Sequence, residues 1–306
     1  MISVQNQLIS NIFQDQFNLK YIQEISIKRE DQIHPFVSGN KFRKLKYNLI
    51  EAKQQSKNTL LTFGGAFSNH IAATAAAGKE YGFQTIGIIR GEELSQKIHE
   101  NPTLAFAKAN GMTFHFVSRE HYKQKHTIEF QNILVEKFGD FYLLPEGGTN
   151  PLAVKGCEEV LTDKDAVYDF ICLPLGTGGT MAGIVNSSKP HQKVIGFSAL
   201  KGNFLEKEIK KWTSKSNWEI TDEYCFGGYA KINEELVDFI NVFKNKTHIP
   251  LDPIYTGKMI YGIFELVKTG FFPKNSRILA IHTGGLQGIH GMNLQLKKRN
   301  LPLIEI

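Results

Sequence analysis

Short apolar runs rich in β-branched and aromatic residues recur along this chain, and helical spacing separates most of them. They cover 59–63, 85–90, 112–117, 141–144, 170–175, 194–199 and 277–282. Runs of that length and composition read as strands, and their alternation with helices specifies an α/β protein with largely parallel sheets. One intervening helix is explicit. Asn101 is its N-cap, Pro102 its first-turn proline, and Asn110-Gly111 its stop.

The runs fall into two groups. Four lie between about 45 and 148, and the others follow the turn-rich stretch Glu146-Gly147-Gly148-Thr149-Asn150-Pro151. The expected fold class is therefore α/β: two doubly wound three-layer α/β/α subdomains with largely parallel sheets. Residues 1–44 and 149–306 are expected to form the larger one and 45–148 the smaller. A cleft between two such units is a common place for a small-molecule site.

Composition narrows the function classes. Hydrophobic residues make up 42% of the 306 and charged residues 22%, an ordinary balance for a soluble domain. The net charge of +6 is spread among 30 acids rather than gathered in a patch, so no nucleic-acid partner is expected. The densest basic run, Lys207 to Lys215, is interleaved with Glu206, Glu208 and Trp212 and reads as a solvated helix face. Cys157, Cys172 and Cys225 form no C-x-x-C, and their odd number argues against a disulfide framework. With no apolar leader or membrane-length apolar run, the expectation is a cytoplasmic protein and no membrane partner. No metal is expected, because His282 and His290 lack acids or cysteines at ligand spacing.

Three motifs carry the chemistry. Gly176-Thr177-Gly178-Gly179-Thr180 follows a buried strand and opens a helical pattern. Converging backbone amides and a helix N-terminus suit a phosphate there. A dinucleotide would need an acid at the end of the next strand, and none is present. Lys41 lies in Ser38-Gly39-Asn40-Lys41-Phe42-Arg43-Lys44-Leu45, at the expected start of a helix. Burial or the nearby Arg43, Lys44 and Lys46 could lower its basicity and make it a nucleophile toward carbonyls. Gly64-Gly65-Ala66-Phe67-Ser68-Asn69-His70 follows a strand and precedes a helix of small residues. Its exposed amides could hold a carboxylate, and Ser68 or Asn69 could equally be an ordinary N-cap.

In combination these motifs, with Tyr255-Thr256-Gly257-Lys258 and His282-Thr283-Gly284-Gly285, resemble the tryptophan-synthase-β-like (fold type II) superfamily of pyridoxal-phosphate enzymes. The nearest group is the 1-aminocyclopropane-1-carboxylate deaminase/D-cysteine desulfhydrase family, over most of the chain from Lys28 onward. The resemblance implies pyridoxal 5'-phosphate as cofactor, a small amino acid as substrate and a homodimer. It implies that Lys41 carries the cofactor as a Schiff base. Asn69 would bond the cofactor's phenolic oxygen, and Gly176, Thr177, Gly178, Gly179 and Thr180 would hold its phosphate with help from Lys44. Ser68, with Asn69 and His70 beside it, would meet the substrate. Tyr229 and Tyr255 resemble the family's two active-site tyrosines, which can relay protons.

Thr256 stands where the family places the partner of the cofactor's pyridine nitrogen. The family's deaminases have glutamate there and leucine before the later Gly-Gly; Thr256 and Thr283 resemble the desulfhydrases. The implied reaction is β-elimination from D-cysteine to pyruvate, sulfide and ammonia. The alternatives are 1-aminocyclopropane-1-carboxylate deamination, another lyase, racemase or dehydratase of the same fold, and a non-catalytic phosphate-binding module. One departure stands out: Phe67 replaces a glutamine of the resembled motif.

Overall fold

The computed structural model describes residues 4–13, 21–202 and 204–306. Residues 1–3, 14–20 and 203 belong to the segments expected to form the larger unit and lie outside the described residues. Among the described residues the strands are β1 Asn6–Leu8, β2 Glu24–Lys28, β3 Thr59–Gly64, β4 Gln84–Arg90, β5 Met112–Val117, β6 Tyr142–Leu144, β7 Phe170–Leu175, β8 Lys193–Ser198, β9 Trp218–Thr221 and β10 Arg277–Ile281. They form two sheets, in the orders β1-β2-β10-β7-β8-β9 and β5-β4-β3-β6. Every pairing is parallel except that of β1 with β2.

Both sheets are covered on two faces, which is why their strands read as near-continuous apolar runs. In β10, Ile278 and Ala280 face one core with Ile25, Ile27 and Cys172, while Leu279 and Ile281 face another with Ile171 and Leu173. In the smaller sheet, Leu60 and Leu144 pack on one side and Leu61 and Phe63 on the other. This two-residue alternation is strand geometry sorting side chains between layers. The expected three-layer α/β/α architecture is what the chain adopts.

The helix expected after Asn101 is Pro102–Ala109. The Asn101 side chain accepts from the Leu104 amide at 3.0 Å, and Gly111 takes a positive φ just past the end. The basic run is helical only in part. The helix is Phe204–Lys210, and Lys211 to Lys215 follow it as a turn and loop in which Lys211 pairs with Glu208. All three cysteines are free and buried. No helix among the described residues is long and apolar enough to cross a membrane.

Candidate active site

The helix Asn40–Gln54 begins on a turn that only glycine permits. Gly39 has φ +61, and a Cβ built on it would stand 1.9 Å from the Thr283 carbonyl oxygen. The Asn40 amide donates to that oxygen at 3.2 Å and the Gly39 amide to the Glu30 oxygen at 3.1 Å. Glu30 follows β2 and Thr283 follows β10, so Lys41 is hung from the carboxyl ends of adjacent parallel strands. Open α/β sheets present their ligand sites at such ends.

Close helix packing brings the next residues to the same place. A Cβ on Gly156, in the helix Pro151–Cys157, would lie 2.0 Å from the Arg43 oxygen. That helix in turn meets Gly183 of the helix Gly179–Ser187, where a Cβ would stand 2.5 Å from the Val154 oxygen. The three helices therefore stack, and Lys44 arrives beneath the glycine turn that follows β7. Only 2% exposed, it donates to the Gly147 oxygen at 3.0 Å, Thr149 Oγ1 at 2.9 Å and Thr177 Oγ1 at 3.3 Å. Asn40 Nδ2 donates to Thr180 Oγ1 at 2.9 Å. Gly178 caps the helix Gly179–Ser187 in the left-handed region, with no side chain bonded to the helix's first amides. A cation, hydroxyls and unclaimed helix amides converge, and such a cradle favours an anion.

Electrostatics follow from this crowding. Burial and then the Lys44 charge lower Lys41 to about 7, and burial lowers Lys44 to about 8. Lys41 Nζ is thus substantially neutral near pH 7, as a carbonyl-attacking amine must be. Arg43 and Lys46, expected as further neighbours acting on Lys41, are neutralised elsewhere. Arg43 Nε and Nη2 donate to the two Glu30 oxygens at 2.9 and 2.8 Å, and Lys46 Nζ donates to both Glu159 oxygens at 2.7 Å. His70, 1% exposed, lies beside Gly148, whose built Cβ would be 2.8 Å from its Cε1. Burial, followed by Lys41 and Lys44, holds its imidazole well below the usual range, and neither ring nitrogen has a hydrogen-bond partner.

Ser68 does act as an N-cap, its Oγ accepting from the Ile71 amide at 3.3 Å, and the helix Asn69–Tyr81 follows. Asn69 Oδ1 accepts from Gln287 Nε2 at 2.5 Å. A Cβ on Gly285 would stand 2.5 Å from Asn69 Nδ2 and 3.6 Å from Asp252 Cγ, which ties the Asn69 side chain to the neighbourhood of Thr256. Asp252 Oδ1 accepts from the Ile254 and Tyr255 amides at 3.0 and 2.9 Å. Its Oδ2 accepts from the Thr256 amide at 2.9 Å and from Thr256 Oγ1 at 2.7 Å. Burial raises the Asp252 carboxyl despite these donors. Thr256 is fully buried.

The Tyr255 ring lies by the phosphate-type turn; a Cβ on Gly176 would be 3.2 Å from its Cε1. Tyr229, 45% exposed, meets Tyr255 edge-on with ring centroids 6.2 Å apart. Burial raises both phenols, Tyr255 well above the usual value, so both remain protonated near neutrality. His282 Nε2 donates to the Pro250 oxygen at 2.7 Å and its Nδ1 accepts from the Gly284 amide at 3.2 Å, which secures the turn carrying Thr283.

Lys41, Lys44, Thr177, Thr180 and His70 thus form one cluster; Asn69, Thr256 and Tyr255 border it. Asp252, Gln287 and Thr149 belong to the site and were not expected from sequence. Asp252 has a local signal, an acid four residues before Thr256 at a helix start. Thr149 was hidden in a stretch read only as a turn. Gln287 is 218 residues from Asn69 and has no signal of its own.

The residues fit pyridoxal phosphate. A doubly charged phosphate suits the cradle over Lys44, an aldehyde suits the depressed Lys41 amine, and the orphaned His70 nitrogens mark a buried polar face that the protein alone leaves unpaired. The fold and site therefore define a pyridoxal-phosphate dependent enzyme, and the model of the family with that description matches residues 12–284. The chain belongs to the 1-aminocyclopropane-1-carboxylate deaminase/D-cysteine desulfhydrase family. It is 32% identical over 296 residues to the mitochondrial bifunctional D-cysteine desulfhydrase/1-aminocyclopropane-1-carboxylate deaminase of Arabidopsis thaliana, covering 87% of this chain and 73% of that one. It is 25% identical to the D-cysteine desulfhydrase of Serratia proteamaculans, covering 89% and 90%. A crystal structure of a 1-aminocyclopropane-1-carboxylate deaminase homologue superposes with a TM-score of 0.83 at 26% identity, covering 97% of this chain and 94% of that one.

Proposed function

We propose that this protein eliminates sulfide from D-cysteine, giving pyruvate, hydrogen sulfide and ammonia with the uptake of one water. The observation that carries this choice is the neutral Thr256 hydroxyl, engaged by Asp252, where deaminases of the family carry glutamate. When bound, the cofactor supplies an electron sink for the pair left at the substrate's α-carbon. A carboxylate beside its ring nitrogen would deepen that sink; a hydroxyl leaves it shallower. Loss of a thiolate needs only modest carbanion stabilisation, whereas opening a cyclopropane needs more.

In this reading Lys44, Thr177, Thr180 and the amides following Gly178 bind the phosphate, and Asn69 Nδ2 orients the ring. Ser68 and the neighbouring helix N-terminus take the substrate carboxylate. Lys41 Nζ would hold the cofactor's aldehyde carbon and, as a free amine, would accept the α-proton, because its basicity near pH 7 suits a general base. Tyr255 and Tyr229, held protonated, serve as donors to the departing group. The reading carries with it the homodimer that the family resemblance implies and the cytoplasmic location expected from the sequence.

A second reading, 1-aminocyclopropane-1-carboxylate deamination, is favoured by the paired activities in the name of the Arabidopsis relative. One assay separates them. Cofactor-loaded protein is given D-cysteine, L-cysteine and 1-aminocyclopropane-1-carboxylate, and sulfide, pyruvate and 2-oxobutyrate are measured. Sulfide from the D-isomer, without 2-oxobutyrate, supports the desulfhydrase. 2-Oxobutyrate without sulfide overturns it.

A further inference from the structure

We infer that Gln287 is a positioning residue for Asn69, fixing which end of the Asn69 amide faces the cofactor. The inference rests on the reading of Asn69 proposed above. Gln287 immediately precedes the helix Gly288–Lys298, and its Nε2 donates to Asn69 Oδ1 at 2.5 Å. An amide nitrogen can only donate and an amide oxygen can only accept. With its oxygen held by Gln287, Asn69 presents Nδ2 on the other side, toward Gly285 and Asp252. That would leave a donor free for the phenolic oxygen of a bound pyridoxal ring, the partner that the family resemblance gives Asn69.

A second contact sets the geometry. Gly291 lies four residues beyond Gln287, one turn along the same helical face. A Cβ built on Gly291 would stand 2.5 Å from Phe67 Cδ1. The Phe67 ring therefore occupies the space that Gly291 leaves, and the helix start settles over Phe67-Ser68-Asn69 with Gln287 above Asn69. Phe67 stands where the resembled motif has glutamine, and its ring is what the missing Cβ of Gly291 makes room for. Gln287 also lines a recess with Lys41, Asn69 and Thr283.

The test uses Gln287→Glu, Gln287→Ala and Asn69→Ala in the full-length, cofactor-loaded protein. Two readouts are taken: cofactor retention on dialysis, and the pH titration of the visible absorbance. Gln287→Glu replaces a donor by an acceptor, so the Asn69 amide must turn and present its oxygen to the cofactor. Retention is expected to fall about fivefold or more, which is roughly one lost hydrogen bond, and the absorbance titration to shift. Gln287→Ala frees the Asn69 amide and should give a smaller change in the same direction. If Asn69→Ala changes both readouts while Gln287→Glu matches wild type, the positioning role is wrong and the Asn69 reading stands. If Asn69→Ala changes neither, the Asn69 reading itself is wrong, and this inference falls with it.

Discussion

The Lys44 ammonium lies one helical turn from Lys41 and, after burial, is the largest influence lowering the Lys41 amine to about 7. The ordinary lysine value is 10.5. Between the two, an unfolded chain binds more protons at this position than the folded one, so stability attributable to Lys41 rises with pH across that window. Cofactor-free wild type should therefore melt below Lys41→Met at pH 7, with the gap closing toward pH 10. Thermal melts across that range check it. A gap that stays constant or widens with pH would show that Lys41 is not titrating as a buried amine.

Lys44 itself should govern cofactor affinity. Its three oxygen acceptors gather the Gly147 turn, Thr149 and Thr177 into one cradle, so Lys44→Ala removes both a charge and the clasp. Charge-assisted hydrogen bonds contribute about 1.5–3 kcal/mol each, and loss of even one predicts a 10- to 100-fold weaker cofactor affinity. Equilibrium dialysis would measure it. Unchanged affinity would mean that the cradle is held by backbone alone.

The features legible in sequence were those set by local chemistry. The glycine turn after β7 and the Asn101 cap need no distant partner to be recognised. The buried strands showed themselves because two-sided burial leaves few polar positions. Three strands of the larger sheet did not: β1 and β9 at its edges are short and partly exposed, and β2 hides Ser26 and Lys28 within an alternating Glu-Ile-Ser-Ile-Lys pattern. Lys28 is buried because Asp165, far along the chain, accepts from it at 2.7 Å. The helix Asn40–Gln54 runs through the division expected near residue 44, with Leu45 and Leu49 packing on the smaller sheet's core while Lys41 remains at the ends of the larger. The candidate lysines were legible as a motif, whereas the acids that compensate Arg43 and Lys46, and the amide that holds Asn69, depend on tertiary contacts.

The Glu30–Arg43 pair should be a stability determinant of the lysine-bearing helix. Both side chains are 2% exposed or less, and the pairing is bidentate. Removing one partner of a buried pair costs about 3–5 kcal/mol, and the Glu159 carboxylate 3.7 Å from Arg43 Nη1 should keep the loss toward the lower end. Glu30→Ala should lower the urea midpoint accordingly. A loss under about 1 kcal/mol, typical of a surface pair, would mean that water or Glu159 takes over Arg43.

Thr256→Glu is the obvious substitution for converting the preference toward deamination, and the structure argues that it will fail alone. Thr256 Oγ1 donates to Asp252 Oδ2 at 2.7 Å, and burial already raises the Asp252 carboxyl. A glutamate at this fully buried position sets a second carboxylate against the first, and the two cannot both ionise there. The single variant should lose roughly 3 kcal/mol of stability, the scale of an uncompensated buried charge. Thr256→Ser, which keeps the donor, should lose far less. Adding Asp252→Asn to Thr256→Glu removes the clash and should restore much of the stability. Only that double variant is then a fair test of whether a carboxylate shifts turnover from D-cysteine toward 1-aminocyclopropane-1-carboxylate. Urea melts of the four proteins, read before any assay, decide it. A single Thr256→Glu protein as stable as wild type would mean that the introduced carboxylate turns away from Asp252, and the hydroxyl's contact with Asp252 would then be no constraint on what this position can carry.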